Sequence, residues 1–159
     1  MAELRDSVQG FRAVRSGKWR VTFWKQKGDD WLHSHHVDPY VWDSEAEAEA
    51  RANEFMSAGA GSSGWHPLYV APDGTLCEFE ELSTGAFEVC ENPPGDFGLR
   101  FNQPGHHGAY INIVKGPATG TGHGPWGWDG NYDQPTIVPS IWHQGVWHGF
   151  LVKGYFRSC

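Results

Sequence analysis

WGWDGNYDQPTIVPSIWHQGVWHGFLVKGYFRSC, residues 126–159, is the stretch from which the fold is predicted. Two dipeptides, Gln144-Gly145 and Lys153-Gly154, interrupt its apolar and aromatic runs. A tight hairpin turn needs positive φ, which glycine adopts without penalty, so each dipeptide predicts a two-residue turn. The stretch therefore predicts a meander of three antiparallel strands.

Counting outward from the two turns predicts the pairing. Trp142 should lie opposite Trp147, Ile141 opposite His148, and His148 opposite Cys159. Because side chains alternate along a strand, one face should carry His143, His148, Phe150 and Cys159, and the other Trp142, Trp147, Leu151 and Phe156. The second face predicts a core. The first face brings together imidazoles and a thiol, which are zinc-type ligands, although ordinary residues at a sheet rim would give the same pattern.

Several short motifs of this stretch resemble a known family. They are Trp128-Asp129-Gly130-Asn131, Gln134-Pro135-Thr136, Pro139-Ser140-Ile141, Trp147-His148-Gly149-Phe150-Leu151 and Lys153-Gly154. The string is similar to that of a small uncharacterised domain family of phages, prophages and bacteria, whose members are sometimes titled "ammonia monooxygenase". The resemblance covers about residues 95–159.

The resemblance implies a zinc site, because many members of that family carry a cysteine knuckle. In this chain Asn102 or Gln103 replaces the knuckle cysteine, and Trp147 replaces the cysteine before the histidine. Either His106 and His107 substitute for the lost thiolates, or this branch has lost the metal, which is the alternative we favour. The candidate metal ligands are His106, His107, His143, His148 and Cys159.

The remaining motif residues are candidates for a binding surface or for a structural scaffold. They are Trp126, Trp128, Asp129, Asn131, Pro135, Thr136, Pro139, Ser140, Trp147 and His148. Asp and Asn side chains bond their own backbone in turns, and prolines stiffen the approach to a hairpin, so the pattern favours the structural role.

No catalytic residue is predicted. Ser140 lies between Pro139 and Ile141, outside any G-x-S-x-G elbow, and is a poor nucleophile candidate. Cys159 and His148 could pair, but a residue at the end of the sequence is weakly held for catalysis. The sequence favours a non-enzymatic protein but leaves an enzyme as an alternative.

Composition narrows the function classes. The chain has 159 residues and a net charge of −7, which argues against a nucleic-acid partner. Without a long apolar run or a signal-like N-terminus, neither a membrane span nor secretion is expected. Three cysteines without a CxxC motif predict a reduced, cytoplasmic setting.

The whole chain predicts an α+β fold that is mostly antiparallel β. Residues 1–17 are expected to be a lead-in, residues 18–92 a β-β-α-β-β half, and residues 93–159 an all-β half, with one core shared by the halves as an alternative. The helix is predicted at about residues 45–57, because Ser44 and Glu47 form a capping box. Asp38-Pro39 should break a strand, and Gly116–Gly127 should be a linker.

The leading functional hypothesis is a non-enzymatic phage or prophage protein that binds a host or phage protein, for example as an inhibitor of a host defence system. No cofactor is expected under this hypothesis. One alternative is a small zinc-binding domain, structural or hydrolytic, built from the histidines and cysteine above. Another is a virion component that binds glycans through Trp126 or Trp128.

Overall fold

The computed structural model describes residues 7–27, 30–92, 95–117 and 125–159. Over these residues it is mostly antiparallel β with one α-helix, which confirms the predicted α+β fold class. Its contacts group into two compact units, Met1–Ala13 with Phe79–Cys159, and Val14–Glu78. The division proposed at residue 93 stays a prediction. In the described part of the chain, no helix is long and apolar enough to cross a membrane.

The described ranges contain thirteen strands, numbered in chain order, one α-helix and one short 3-10 helix, Phe79–Glu81. They are β1 (Ser7–Gln9), β2 (Phe11–Arg12), β3 (Arg15–Lys27), β4 (Asp30–Trp42), α1 (Glu45–Ser57), β5 (Ser62–Val70), β6 (Leu76–Cys77), β7 (Ala86–Asn92), β8 (Asp96–Gln103), β9 (His106–Lys115), β10 (Trp126–Trp128), β11 (Ile137–His143), β12 (Trp147–Val152) and β13 (Tyr155–Ser158).

The Val14–Glu78 unit has the predicted β-β-α-β-β order, with its strands arranged β4-β3-β5-β6. Ser44 caps α1 by accepting the Glu47 N–H at 3.2 Å. The helix buries Ala48 and Ala52 in a small core with Val21. The predicted break at Asp38-Pro39 is wrong, because β4 continues through it; Pro39 lies on an edge strand, where its missing N–H costs no ladder bond.

The other unit is a nine-stranded sheet with the order β1-β13-β12-β11-β10-β9-β8-β7-β2. Its two end strands, β1 and β2, belong to one short segment joined at Gly10, so the sheet closes on itself; we call it the closed sheet. Gly10 donates its N–H to the Gly154 carbonyl at 2.8 Å. A Cβ at Gly10 would lie 2.3 Å from that oxygen, so the closure requires glycine. The predicted lead-in therefore supplies both closing strands.

The closed sheet surrounds one apolar core, whose buried members come from seven of its strands. They are Phe87, Leu99, Phe101, Ile113, Trp128, Ile137, Ile141, Trp147, Leu151 and Phe156. The end of the predicted linker is a strand, since β10 pairs in parallel with β9 through Trp126 and Ile113. Residues 118–124 of that linker lie outside the described residues.

The predicted register of the first C-terminal hairpin is wrong by one residue. His143 pairs with Trp147, and Trp142 pairs with His148, because the loop has three residues and Val146 bonds back to the His143 carbonyl. A shift of one residue exchanges the faces. Trp142 is therefore 68% exposed instead of buried. The second hairpin has the predicted register, with Val152 opposite Tyr155.

Candidate functional site

An irregularity in β11 shapes the surface beside the first hairpin. Ile137 pairs with Leu151 and Ile141 with Gly149, so three residues of β11 face one residue of β12. These three residues are Val138, Pro139 and Ser140, and the Val138-Pro139 peptide bond is cis. Bulges of this kind re-aim side chains and are frequent next to active sites.

Ser140, the last bulged residue, meets His148 on the neighbouring strand. The Ser140 Oγ and His148 Nε2 atoms are 3.0 Å apart. His148 is exposed, and the Trp142 ring lies opposite it, with 6.2 Å between the ring centroids. When the imidazole proton is on Nδ1, the Ser140 hydroxyl donates to Nε2, which is the arrangement of a nucleophile and its base.

Two tryptophans hold the strands that carry this pair. The Trp126 indole N–H donates to the Ser140 carbonyl at 3.1 Å, which ties the bulge to β10. Trp147, beside His148, is buried and donates its indole N–H to Ser158 Oγ at 2.8 Å. The Trp147 ring passes over Gly149, where a Cβ would lie only 2.2 Å from it. Both strands of the pair are therefore anchored by buried or half-buried rings.

The predicted metal ligands do not converge on one point, although His106 and His143 come together. His107 bonds to Thr84 Oγ1 at 2.9 Å and to the Glu80 carbonyl at 2.8 Å. His106 packs edge-on against His143, with ring centroids 5.1 Å apart. Both ring nitrogens of His107 are thus engaged by neighbouring polar atoms, a hydroxyl and a backbone carbonyl, and not by another predicted ligand.

The other members of the predicted set are also engaged. His143 Nδ1 lies 2.6 Å from Nε2 of the fully buried Gln103, and His148 faces Ser140. Cys159 is exposed, and its backbone N–H bonds to the His148 carbonyl. Among the described residues, no three His, Cys, Asp or Glu side chains are grouped closely enough to hold a metal ion. A zinc site stays a prediction.

The motif between β10 and β11 forms a hydrogen-bonded loop. Asp129 Oδ1 accepts from the backbone N–H groups of Asn131 and Thr136, and Asn131 Oδ1 accepts from that of Asp133. Thr136 Oγ1 accepts from the Lys153 N–H. The chain around Pro135 is held in the same way, since the Pro135 carbonyl accepts from Gly154. The oxygen atoms of these side chains therefore accept hydrogen bonds that hold the loop in place.

Two tryptophans of the glycan hypothesis have limited exposure. Trp128 is 2% exposed, and its indole N–H bonds to the Asn131 carbonyl. Trp126 is half-buried. Trp142 is the tryptophan with a large free surface on this unit, and it lies beside the Ser140–His148 pair.

Ser140 and His148 are both candidates from the sequence, but their contact was not predicted. Counting across a two-residue turn placed Ile141 opposite His148. Pro139 was the signal for the bulge beside Ser140, because proline inside a central strand is confined to bulges. The available signal was a serine and a histidine eight residues apart on the two sides of a hairpin, both within the family-like string.

A Ser–His pair on the outer face of a closed β-sheet is the class of site that the geometry defines. Residues 82–159 match a family model described as "Bacterial ubiquitination-like system serine protease (BubE)". The matched residues contain both Ser140 and His148 and lie within the closed-sheet unit. No curated protein and no solved structure matches the chain.

Proposed function

We propose that the protein is a serine hydrolase that cleaves a polypeptide acyl bond, with Ser140 as nucleophile and His148 as general base. The 3.0 Å contact between Ser140 Oγ and His148 Nε2 carries the proposal. A nucleophile within hydrogen-bonding reach of its base is the geometric requirement for this chemistry.

The reaction divides into two halves that return the enzyme to its starting state. His148 Nε2 takes the Ser140 proton as Oγ bonds to the substrate carbonyl carbon, and the imidazolium then protonates the leaving amine or alcohol. A water molecule next gives a proton to His148 and attacks the acyl-serine. Collapse of that adduct breaks the C–Oγ bond and returns the proton to Ser140.

We further propose that this hydrolase serves a bacterial ubiquitination-like system. The description of the matched family supports this, as does the position of Ser140 and His148 within the matched residues. The phage and prophage string of residues 95–159 overlaps the same segment. We propose that both similarities describe one domain family.

Hydrolysis of a fluorescein-labelled protein and of p-nitrophenyl acetate tests the activity. Ser140→Ala and His148→Ala should each lower the rate by about 1,000-fold or more, to the level that binding alone supports. The matched control is Ser83→Ala, an exposed serine in the same unit, which should keep wild-type rates. Wild-type rates in Ser140→Ala would contradict the proposal.

The second candidate is protein binding without catalysis, including inhibition of a host defence system. It is favoured by the exposed apolar side chains that surround the pair: Trp142 is 68% exposed, Val138 46% and Phe150 40%. Under this candidate, a partner retained stoichiometrically by the wild type should be retained by Ser140→Ala and lost by Trp142→Ala. Retention by both variants, or no stoichiometric partner, would count against it.

A further inference from the structure

A cavity of about 520 Å³ opens on the closed sheet beside Trp126. Trp126 connects the cavity to Ser140, because its ring lines the cavity while its indole N–H holds the Ser140 carbonyl at 3.1 Å. The volume is in the range that binding sites for small groups occupy. A substrate chain passing over Ser140 therefore has a side-chain-sized space that one indole ring separates from the Ser140 backbone.

The walls of this cavity combine aromatic faces with polar side chains that are neutral or acidic. Three rings line it, those of Phe97, Tyr110 and Trp126. Its titratable acid is Asp96, and no lysine, arginine or histidine occurs among the described lining residues. Aromatic faces and a carboxylate both attract a cation.

The polar groups of the cavity have no partners within the described part of the chain. Asp96 makes no ion pair there, and the side-chain amides of Asn92 and Asn112 make no hydrogen bond. The nearest arginine of β8, Arg100, does not line the cavity and lies over the Phe79 ring, 5.7 Å from its centroid. Among the described residues, nothing therefore competes with a ligand for these groups.

Tyr110 is held in place by the strand beneath it. Its ring lies across Gly98 of β8, where a Cβ would approach the phenol oxygen to 1.8 Å. Burial, followed by the neighbouring Cys90 thiol, raises the pKa of Tyr110, so the phenol stays neutral and contributes its ring to the wall. Gly98 thus fixes one aromatic wall of the cavity.

We propose that this cavity is a substrate subsite that binds a lysine or arginine side chain next to the scissile bond. The cationic head would lie against the Asp96 carboxylate, and its aliphatic stem against Trp126 and Phe97. The assignment rests on the proposed hydrolase function for its catalytic meaning, but the binding itself does not require turnover.

Binding is measured on the Ser140→Ala protein with two probes, Nα-acetyl-lysine N-methylamide and the uncharged norleucine analogue. The readout is the Trp126 indole N–H signal in nitrogen-proton NMR spectra. The lysine probe should bind about tenfold or more tightly than the norleucine probe, because the Asp96 carboxylate attracts the charged head while both probes can lay an aliphatic chain against the rings. Equal shifts with both probes, or no shift, would overturn the proposal.

Two variants separate the subsite from the general acidity of the surface. Asp96→Asn should reduce the preference for lysine to less than about threefold. Glu91→Gln removes an exposed carboxylate close in sequence that does not line the cavity, and it should keep the full preference. Loss of the preference in Glu91→Gln, or its retention in Asp96→Asn, would overturn the assignment.

A separate reaction of the wild type with a fluorophosphonate distinguishes this inference from the proposed function. Preferential lysine binding without reaction at Ser140 would leave the cavity as a cation site and remove the hydrolase. Reaction at Ser140 without a preference for lysine would keep the hydrolase and remove the subsite.

Discussion

The closed sheet and the sheet of the Val14–Glu78 unit differ in whether their edge strands are joined. The four-stranded sheet of Val14–Glu78 remains open, with β4 at one edge and the two-residue β6 at the other. The nine-stranded sheet joins its edges through the single segment that holds β1 and β2. An open sheet needs only pairing between strands that are close in the sequence, whereas closure requires β1 to pair with β13.

The difference explains where the candidate site occurs. Catalytic groups must be held to a fraction of an ångström, and a rigid scaffold on regular strands does this better than a mobile loop. In the closed sheet, strands β10 and β12 flank the bulge of β11, and Trp126 fastens it. The sheet can accommodate the bulge at Ser140, because Ile137 and Ile141 on the two sides of the bulge both lie in the core.

The largest effect on stability is expected at Gly149, which packs against both a ring and a backbone carbonyl. A Cβ there would lie 2.2 Å from the Trp147 ring and 2.4 Å from the Arg157 carbonyl. Gly149→Ala should lower the free energy of unfolding by about 3 kcal/mol, as overpacking against backbone does. Urea denaturation followed by tryptophan fluorescence measures it.

The matched control lies in the open sheet. A Cβ at Gly64 meets nothing within 4 Å, so Gly64→Ala should change the free energy of unfolding by less than about 0.5 kcal/mol. Equal losses in the two variants would remove the contrast in packing between the sheets.

The next effect concerns the anchor of the bulge. Trp126→Phe keeps a ring but loses the indole N–H that bonds the Ser140 carbonyl. Hydrolysis of p-nitrophenyl acetate, which is too small to fill the cavity, should slow about tenfold, with the loss in kcat, because one hydrogen bond contributes about 1 kcal/mol. Trp24→Phe in β3 should not change kcat, and an equal loss there would contradict a specific role for Trp126.

A smaller effect is expected from the cap of α1 in the open unit. Ser44→Ala removes the oxygen that accepts the Glu47 N–H and should lower the free energy of unfolding by about 1 kcal/mol. Ser57→Ala, at the exposed end of the same helix, should cost less than about 0.5 kcal/mol. A cost at Ser57 that matches the cost at Ser44 would show that the capping bond is not the cause. Thermal unfolding followed by circular dichroism distinguishes them.

The smallest effect is a pH dependence in the open sheet. The close contact of His66 Nε2 with the Glu78 carboxylate, at 2.9 Å, is the main cause that holds the pKa of Glu78 below its usual value of 4.5, and Arg20 and His35 add to it. Because the folded state favours the charged carboxylate, its contribution is present above pH 4.5 and is lost as the pH falls through the lowered pKa.

Melting temperatures measured from neutral pH to below that value test this contribution. The wild type should lose more stability on acidification than Glu78→Gln, and Glu49→Gln on the exposed face of α1 should follow the wild type. Parallel curves for wild type and Glu78→Gln would contradict the role of the His66–Glu78 pair.

The two regions were also predictable to different degrees from the sequence. Helix α1 was predicted with its observed bounds, because Ser44, Glu47 and the spacing of Ala48 and Ala52 are signals within a few residues of one another. The open sheet follows from the same kind of local alternation. The fold class and the second C-terminal hairpin were predicted for the same reason.

The closed sheet depends on contacts that no local pattern reveals. Closure at Gly10 joins it to Gly154, and the parallel pairing of β10 with β9 spans a glycine-rich segment. The first hairpin has one more loop residue than its Gln144-Gly145 signal indicates. Because the prediction lacked this loop residue and the bulge, it placed His143 and His148 on one face as metal ligands and did not pair Ser140 with His148.

Reaction of the protein with a fluorophosphonate, followed by mass spectrometry of the peptides, tests the central claim most directly. We predict a single adduct on Ser140, absent in Ser140→Ala, strongly slowed in His148→Ala, and without modification of Ser83. An unreacted Ser140 in the folded wild type, or an adduct at another residue, would contradict the assignment of Ser140 and His148 as nucleophile and base.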